Sequence, residues 1–397
     1  MSSVFSKALN SSIEVGRYIG KIEGDNEGPC VIFIAGIHGN EPSGVFALDD
    51  VFKKLEHEKA NINGTIIGLA GNLWALERSE RYHKKDLNRL WSIENIERLN
   101  SGKFIPKNED EQQQQQELHA IIMELLGSKK GPFYFFDLHT TSSDTIPFIP
   151  VNDSLLNRKF TQQYPVPKIL GIEEYLDGPI LSYINELGYV SFGFESGQHD
   201  SKESIKNHIA FINLSLAFTY SFKQTEYDFK ASFDNLKTIQ QNVYEIYDRH
   251  CINPGVEFKM LPGFKNFQPI FKDTELAISN GEPISTDTNT TLFMPLYQAQ
   301  GSDGFFLIRE IHPFFLWLSS GLRKIKFDHI LPLLPGVQWE DERKAVLKVN
   351  LRIARILTKQ FLHLMGYRSR TTDSKWLIVK SREAASRYKE YRTPKQT

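Results

Sequence analysis

Four short apolar runs, separated by segments of helical periodicity, dominate the first two hundred residues. They are VIFIA at 31–35, TIIGLA at 65–70, FYFFDL at 133–138 and YVSFGF at 189–194. Apolar runs of this length, bounded by turn residues, are typical of strands buried on both faces. Helical patterns from Pro42 to Leu55 and over 204–222 supply elements that can cover the sheet. The pattern therefore predicts an α/β sheet with helices on both faces and ligand sites at the strand ends.

Other segments carry weaker signals of local structure. Asn108 and Glu111 have the spacing of a capping box for a helix over 108–126, whose glutamines Gln112 to Gln116 are expected on a solvated face. A weaker helix is predicted at about 232–249. The stretch 252–300 is rich in Pro, Gly, Asn and Thr, which favours short strands and turns.

The last ninety residues differ again in composition. They open with HPFFLWL and contain KAVLKVNLRIARILTKQFLHLMG, in which helical spacing is predicted from the positions Val346, Val349, Leu351, Ile353, Ile356, Leu357 and Phe361. We expect this helical face to pack in the core of its own domain. The more specific alternative is that it binds a partner protein or a membrane surface. The resulting division is a hydrolase domain at 1–230, a β-rich domain at 231–310, and a partly helical C-terminal extension at 311–397.

Charge and cysteine content narrow the classes of function. The formal net charge of −1 gives no global field that would favour nucleic acid. Only Cys30 and Cys251 are present, which excludes a disulfide framework and a cysteine-rich zinc site. No signal-like segment or long apolar stretch is apparent, so we expect a cytoplasmic protein without a transmembrane helix.

Two of the predicted strands end in side chains that bind metals. The first is followed by Gly36-Ile37-His38-Gly39-Asn40-Glu41, and the third ends in Asp137-Leu138-His139. Two histidines and one glutamate form the three-ligand set of a catalytic zinc site, which leaves one position for water. We therefore predict one zinc ion per chain at His38, Glu41 and His139. Asp137 lies two residues before His139 on the same side of the strand, where it can orient an imidazole.

A proton acceptor is also needed to activate water. The fourth strand ends at Glu195, and a carboxylate emerging from an apolar strand is costly to bury without a purpose. We predict that Glu195 is the general base. His199 follows four residues later, where it either lines the site or begins the next helix.

The stretch Arg78 to Arg89 is the densest basic region of the first two hundred residues. A solvated basic loop is the usual interpretation of such a run. The alternative is a clamp for a substrate carboxylate, since guanidinium groups bind carboxylates through paired hydrogen bonds. Asn88 and Arg89 are also suited to polarising the scissile carbonyl.

These motifs together resemble the succinylglutamate desuccinylase and aspartoacylase family, which is related to the zinc carboxypeptidases. The shared motifs are GIHGNEPSG at 36–44, DLNR at 86–89, DLHTTSS at 137–143 and FESG at 194–197, and the likeness covers about residues 25–310. The resemblance implies a three-layer α/β/α carboxypeptidase-like domain followed by a smaller β-rich domain. The extension at 311–397 has no counterpart in it.

The resemblance also implies roles for individual residues. His38, Glu41 and His139 match the zinc ligands, and Glu195 matches the general base. Asn88 and Arg89 match substrate-carboxylate contacts, while the spacing of Arg81 matches an arginine that polarises the substrate carbonyl.

Two departures argue against N-acetylaspartate as the substrate. The family's aspartoacylases carry a Tyr and an Arg shortly before the general base, whereas 179–190 here reads PILSYINELGYV. Their late aromatic motif is replaced by LYQAQGSDGFF at 296–306.

The sequence thus favours zinc-dependent hydrolysis of a C–N amide bond in a small N-acylated amino acid-like substrate, with water activated by zinc and Glu195. The alternatives are a zinc carboxypeptidase or amidase on peptides, an ester hydrolase, and a non-catalytic zinc-binding or membrane-associated protein of the same fold. Membrane contact would involve residues 311–335. The acyl group, the amine and the oligomeric state are left open.

Overall fold

The computed structural model describes residues 1–101, 111–223, 225–354, 359–372 and 375–391. In the first part of the chain the strands are β1 (Ser2–Ser6), β2 (Ser11–Val15), β3 (Tyr18–Glu23), β4 (Asn26–Ala35), β5 (Asn63–Ala70), β6 (Phe133–Thr141), β7 (Ile149–Val151), β8 (Lys168–Leu170) and β9 (Val190–Gln198). The helices are α1 (Ser43–Leu55), α2 (Leu73–Arg78), α3 (Ile93–Asn100), α4 (Glu111–Ser128), α5 (Leu155–Thr161), α6 (Ile180–Glu186), α7 (Lys202–Phe218) and α8 (Glu226–Leu236). Short 3₁₀ helices span Glu56–Asn61, Leu87–Arg89 and Ile172–Glu174.

A five-stranded sheet in the order β3-β5-β4-β6-β9 organises this part of the chain. Strand β4 runs parallel to both β5 and β6, β6 runs parallel to β9, and β3 is an antiparallel edge. The four apolar runs of the sequence are β4, β5, β6 and β9. The prediction of four buried strands is therefore confirmed.

Successive residues of β4 point to opposite faces of this sheet and enter two separate cores. Val31 and Phe33 pack in the core that contains α1 and α7, whereas Ile32 and Ile34 pack with α4 and α6 on the other face. Because both faces are covered by helices, the strands carry unbroken apolar runs rather than alternating ones. The three-layer α/β/α prediction is confirmed.

The remaining described elements are mostly short strands. They are β10 (Val243–Cys251), β11 (Phe258–Met260), β12 (Gln268–Ile270), β13 (Glu275–Ser279), β14 (Glu282–Ser285), β15 (Thr290–Phe293), β16 (Asp303–Glu310), α9 (Pro313–Lys324), β17 (Val337–Trp339), β18 (Val346–Asn350), α10 (Lys359–Leu364), β19 (Tyr367–Thr372) and β20 (Trp376–Ser381), with a 3₁₀ helix at Phe327–Leu333.

A second large sheet, in the order β12-β15-β16-β10-β8-β7, lies beyond the strand ends of the first. Its strands β7 and β8 come from the predicted hydrolase domain, and the other four come from the predicted β-rich domain. The backbone of Glu195 bridges the two sheets by exchanging hydrogen bonds with Phe148. The domain boundaries themselves stay a prediction.

Two predicted helices are wrong over part of their length. The one expected at about 232–249 is helical only as far as Leu236, where α8 ends, and in the pattern that reaches Phe361 the described helix is α10 (Lys359–Leu364). Residues 243–249 belong to β10, which pairs with β16 and β8, and Val346–Asn350 is the strand β18, which pairs with β17 and β20. In β18 the buried apolar side chains are Leu347 and Val349, a period of two that fits a strand. Of the positions assigned to the helical pattern, Ile356 and Leu357 lie outside the described residues.

The helix predicted at 108–126 is present as α4, and its N-terminal residue Asn108 lies outside the described residues. The glutamine run was predicted on a solvated face, but part of it is buried. Gln114 and Gln115 are buried, with Gln114 Oε1 accepting from the Leu73 backbone N–H at 3.1 Å and Gln115 Nε2 donating to the Leu90 carbonyl oxygen at 2.8 Å.

A buried ion cluster joins the C-terminal extension to the first part of the chain. Asp153 receives hydrogen bonds from Arg158 and from Arg323, whose Nη2 lies 2.8 Å from Asp153 Oδ2, and Arg382 approaches the same oxygen at 3.4 Å. Further along, the Val190 backbone N–H of β9 donates to Tyr391 Oη at 2.9 Å. The extension thus packs on the edge of the central sheet. No helix within the described ranges has both the length and the apolarity that crossing a bilayer requires.

Candidate metal centre and cavity

The loop after β4 turns sharply because glycines occupy its tight positions. Gly36 has φ +69°, a conformation that L side chains rarely adopt. A Cβ on Gly39 would lie 2.0 Å from the backbone carbon of Ala75, so only glycine lets this loop pack against α2. The turn places His38 and Glu41 at the carboxyl end of β4, just before α1.

His38, Glu41 and His139 converge at this sheet edge, with one ligand atom of each within 4.8 Å of the others. His38 Nδ1 lies 2.8 Å from Glu41 Oε1, and His139 Nδ1 lies 3.1 Å from Glu41 Oε2. All three side chains are buried. The structure therefore brings the three predicted ligands to one point, with both imidazoles presenting Nδ1 to it.

The opposite nitrogen of each imidazole meets a carboxylate. His38 Nε2 lies 3.1 Å from Asp86 Oδ1, and His139 Nε2 lies 2.7 Å from Asp137 Oδ2. Outer carboxylates of this kind fix the orientation of metal-bound histidines. Two histidines and a carboxylate, each imidazole held from behind, fit a zinc ion.

Glu195 lies beside His139, since the two residues are register partners on the adjacent strands β9 and β6. Its carboxylate is buried, and among the described residues its Oε2 has no hydrogen-bond partner. Burial, reinforced by the Glu41 and Asp137 carboxylates, raises the pKa of Glu195 to about 8. A buried carboxyl with a free oxygen and a raised pKa is suited to exchanging protons with a substrate.

Arg81 reaches the same centre from the loop after α2. Its Nη1 lies 3.4 Å from Glu41 Oε1, and its Nη2 donates to Asp86 Oδ2 at 3.2 Å. Within the described part of the chain its Nε has no partner. The guanidinium therefore lies at the candidate metal centre, with its Nε–H available as a donor.

Asn88 and Arg89 lie in the 3₁₀ turn Leu87–Arg89. Asn88 Oδ1 accepts a hydrogen bond from the Ile180 backbone N–H at 3.0 Å, which fixes the amide at the start of α6. Arg89 Nη1 donates to the Asn88 carbonyl oxygen at 3.0 Å, and its Nη2 lies 3.6 Å from Asp303 Oδ2. Both side chains line the same cavity as the three candidate ligands.

Other polar residues at this site were not assigned a role from sequence. Thr140 Oγ1 lies 2.7 Å from His199 Nδ1, and His199 Nε2 lies 3.2 Å from Gln298 Oε1. The Gln298 oxygen also accepts from Asn40 Nδ2 at 2.8 Å. Asp86 could have been found from its place in the DLNR motif, whereas Gln298 and Asp303 carry no local signal. His199, left open from sequence, is thus held against the site by hydrogen bonds.

The cavity over this centre is bounded by several regions of the chain besides the loop that carries Arg81 and Arg89. Strand ends of the central sheet form its floor, the segment 172–181 forms one wall, and the segment 294–306 of the second sheet forms another. The second sheet therefore completes the cleft, which is where ligands bind in open α/β folds.

The comparisons with known proteins agree with this geometry. Residues 27–173 match the model of the succinylglutamate desuccinylase/aspartoacylase catalytic domain. The predicted family resemblance is confirmed. The segment that matches the succinylglutamate desuccinylase/aspartoacylase model holds all the predicted site residues except Glu195, which lies beyond its end.

Among curated proteins, the chain is similar to succinylglutamate desuccinylases. It is 29% identical over 122 residues to that of Pseudoalteromonas atlantica, which covers 30% of this chain and 33% of the relative. It is 24% identical over 281 residues to that of Shewanella putrefaciens, which covers 66% of this chain and 76% of the relative. The match thus spans about a third of the length of the Pseudoalteromonas relative.

Solved structures of other proteins share the fold. A succinylglutamate desuccinylase/aspartoacylase from Rhodobacter sphaeroides aligns with TM-score 0.54 and 16% identity over 73% of this chain and 88% of its own. An ectoine utilization protein from Ruegeria pomeroyi aligns with TM-score 0.54 and 15% identity over 74% and 88%. The carboxypeptidase-like fold expected from the sequence is therefore confirmed.

Proposed function

We propose that this chain is a zinc-dependent amidohydrolase that cleaves a C–N amide bond, not a typical peptide bond, in a small N-acylated amino acid-like substrate. The observation that carries the proposal is the convergence of His38, Glu41 and His139 at one point, with the carboxylate of Glu195 beside it. The family match over residues 27–173 supports the same reaction class. One zinc ion per chain would be held by the three ligands.

Bound zinc would supply a Lewis acid that polarises the scissile carbonyl and lowers the pKa of water towards neutrality. Glu195 takes a proton from the attacking water on its carboxylate and delivers it to the leaving nitrogen. Its Oε2 has no hydrogen-bond partner in the described part of the chain and is available for that transfer. Arg81 donates to the carbonyl oxygen as negative charge develops there.

In this proposal, Asn88 and Arg89 bind the substrate. The Asn88 oxygen is engaged by Ile180, so its amide nitrogen is the group that it presents to a ligand. The Arg89 guanidinium, partly exposed in the cavity, suits a single carboxylate of the substrate's amino-acid part.

The decisive experiment is Glu195→Gln in the full-length, zinc-loaded chain. Turnover of N-acyl amino acids should fall by at least about 10²-fold in kcat, since general acid–base catalysis is lost. Zinc content should stay at one ion per chain. Glu203→Gln, on the exposed first turn of α7, is the matched control and should keep full activity. Undiminished turnover by Glu195→Gln would remove the residue from the mechanism.

A substrate panel separates this proposal from its rivals. A peptide carboxypeptidase or amidase would prefer peptides over acyl-amino acids, and an ester hydrolase would prefer the matched esters. A non-catalytic protein would turn over none of them. The zinc content of the purified chain tests the assigned ligands. They would be contradicted if the wild-type chain held no zinc, or if His38→Ala retained the same zinc content. A cytoplasmic location is part of the proposal and is supported by two cysteines that are both free thiols.

Residues 311–335 support a second candidate property, binding to an anionic lipid surface. Their exposed apolar side chains include Phe314, Phe315, Trp317 and Leu333, and Trp317 is 71% exposed. Lys324 and Lys326 are exposed beside them and complement anionic headgroups.

Co-sedimentation with phosphatidylserine-containing vesicles tests this property. The intact chain should bind, and Trp317→Ser with Phe314→Ser should weaken binding more than Ile239→Ser, which removes an exposed apolar side chain elsewhere. If the intact chain stays in the supernatant, the proposal of lipid binding is wrong.

A further inference from the structure

Residues 172–181, one wall of the cavity, contain only a short 3₁₀ helix and the first two residues of α6. The side chains of this segment that line the cavity are Ile172, Leu176, Pro179 and Leu181. The Trp91 backbone N–H donates to the Gly178 carbonyl oxygen at 2.9 Å, and the Arg249 guanidinium donates to the Tyr175 carbonyl oxygen. Because the wall has little regular structure of its own, its position depends on contacts with neighbouring parts of the chain.

The start of this wall is bound by the C-terminal extension. Arg382 directly follows β20, and its Nε donates to Glu173 Oε1 at 2.7 Å while its Nη2 donates to Glu174. His363 of α10 also approaches the wall, with its Nε2 2.9 Å from Glu174 Oε2. One guanidinium of the extension thus binds two consecutive residues of the cavity wall.

The contact between Arg382 and the wall is shielded from water. The side chains of Glu173, Glu174 and Arg382 are 1%, 3% and 5% exposed. Asp153 lies 3.4 Å from the same guanidinium, but Arg158 is its closer partner. Without Arg382, the two glutamates would lose the guanidinium that both of them contact, and their like charges would repel. Since a buried carboxylate is costly without a cation, the wall that carries them would move towards water.

We propose that the C-terminal extension positions the 172–181 wall of the cavity, and that Arg382 is the positioning residue through which it acts. Arg382 lies outside the described lining of the cavity, so it acts on a ligand only through the wall. The expected effect on turnover rests on the proposed amidohydrolase function. A displaced wall loses contacts that the substrate makes in the ground state and the transition state alike, so KM rises while kcat is kept.

Hydrogen–deuterium exchange tests this positioning without any substrate. Several backbone N–H groups of residues 172–181 donate within the 3₁₀ turn and should be protected in the wild-type chain. In Arg382→Gln these amides should exchange at least about tenfold faster, because the uncompensated glutamates favour the displaced wall. The other wall, residues 294–306, should keep its wild-type exchange.

Arg158→Gln is the matched control, because it removes another guanidinium of the same ion cluster. Arg158 contacts Asp153 and Ser319 rather than the wall. This variant should leave the exchange of residues 172–181 unchanged, even if the whole chain becomes less stable. An effect equal to that of Arg382→Gln would assign the change to the cluster as a whole and would overturn the inference.

Steady-state kinetics on the zinc-loaded chain provide the second measurement. Arg382→Gln should raise KM for N-acyl amino acids at least about tenfold, with kcat changed less than about threefold. Zinc affinity, measured by chelator competition, should equal that of the wild-type chain. Glu173→Ala removes the same contact from the side of the wall, and it should change exchange and KM in the same direction if Arg382→Gln does not fold.

The exchange measurement separates failure of this inference from failure of the proposed function. Wild-type exchange of residues 172–181 in Arg382→Gln and in Glu173→Ala would show that the extension does not position the wall. Faster exchange that is equal in residues 294–306 would show a general loss of stability and would also contradict the inference. If no N-acyl amino acid is hydrolysed, the hydrolase proposal is wrong, and exchange still decides whether Arg382 positions the wall.

Discussion

The Asp137 carboxylate contacts the ring nitrogen of His139 that points away from the candidate metal, with Asp137 Oδ2 2.7 Å from His139 Nε2. Both residues are buried in β6, two positions apart. This contact leaves His139 Nδ1 directed at Glu41 and orients the imidazole before any ion binds.

Asp137→Asn should therefore weaken zinc binding about 10- to 100-fold, the usual effect of losing an outer carboxylate behind a metal-bound histidine. Competition with a chromophoric chelator measures the affinity without relying on activity. Asp144→Asn provides a control in which an exposed carboxylate outside the cavity lining is removed. Equal zinc affinity in all three proteins would show that Asp137 does not position the ligand.

The strand ends of the central sheet were predictable because their signal is local. A run such as VIFIA is buried on both faces, and it delivers His38 and Glu41 to the loop that follows it. The same local interpretation failed for β10 and β18. Their apolar residues suit a helix as well as a strand over a few positions, and pairing with distant strands decided the outcome.

Local sequence patterns could not predict the polar contacts between residues that are distant in the chain. Asp303 meets Arg89 across more than two hundred residues, and His199 meets Gln298 across 99. The segment 296–306 could be recognised as a departure from the family pattern. Its role as a cavity wall follows only from the way the second sheet folds over the first.

Arg81 is predicted to act on the transition state rather than on folding. Replacing it with Ala should lower kcat for acyl-amino acids about 10²- to 10³-fold, as removal of an oxyanion donor typically does. Steady-state kinetics on zinc-loaded protein would show the loss mainly in kcat. Arg78→Ala, a neighbouring exposed arginine that stacks on Trp74, is the matched control. A change confined to KM would instead assign Arg81 to substrate binding.

The ion cluster around Asp153 should make a large contribution to the stability of the whole chain. Asp153→Asn would leave the buried guanidinium groups of Arg158, Arg323 and Arg382 without their shared carboxylate. Removing one partner of a buried cluster costs about 3–5 kcal/mol. Urea unfolding would measure that loss in the free energy of unfolding.

Glu203→Gln is the comparison for this cluster, because it breaks the exposed pair with Lys206 and should cost less than about 1 kcal/mol. A similar small loss for Asp153→Asn would mean that the extension is not anchored through this carboxylate.

Lys168 makes the free energy of unfolding depend on pH, and this contribution can be separated from that of the other titrating groups. Its Nζ donates to the Tyr164 carbonyl oxygen at 2.7 Å, and burial in β8 lowers its pKa from 10.5 to about 8. Below pH 8 the amine is protonated in both states, so the penalty for burying its charge is fully present. Between pH 8 and 10.5 the folded chain releases this proton first, and the free energy of unfolding must rise with pH.

Comparison with Lys168→Met isolates this effect, because the other titrating groups are common to both proteins. Relative to the variant, the wild-type chain should gain up to about 3 kcal/mol between pH 7.5 and 10.5, at 1.36 kcal/mol per unit of pKa difference. Urea unfolding of both proteins across that range measures the difference. Parallel pH profiles would mean that Lys168 keeps its ordinary pKa in the folded chain, and that β8 leaves its ammonium group accessible to water.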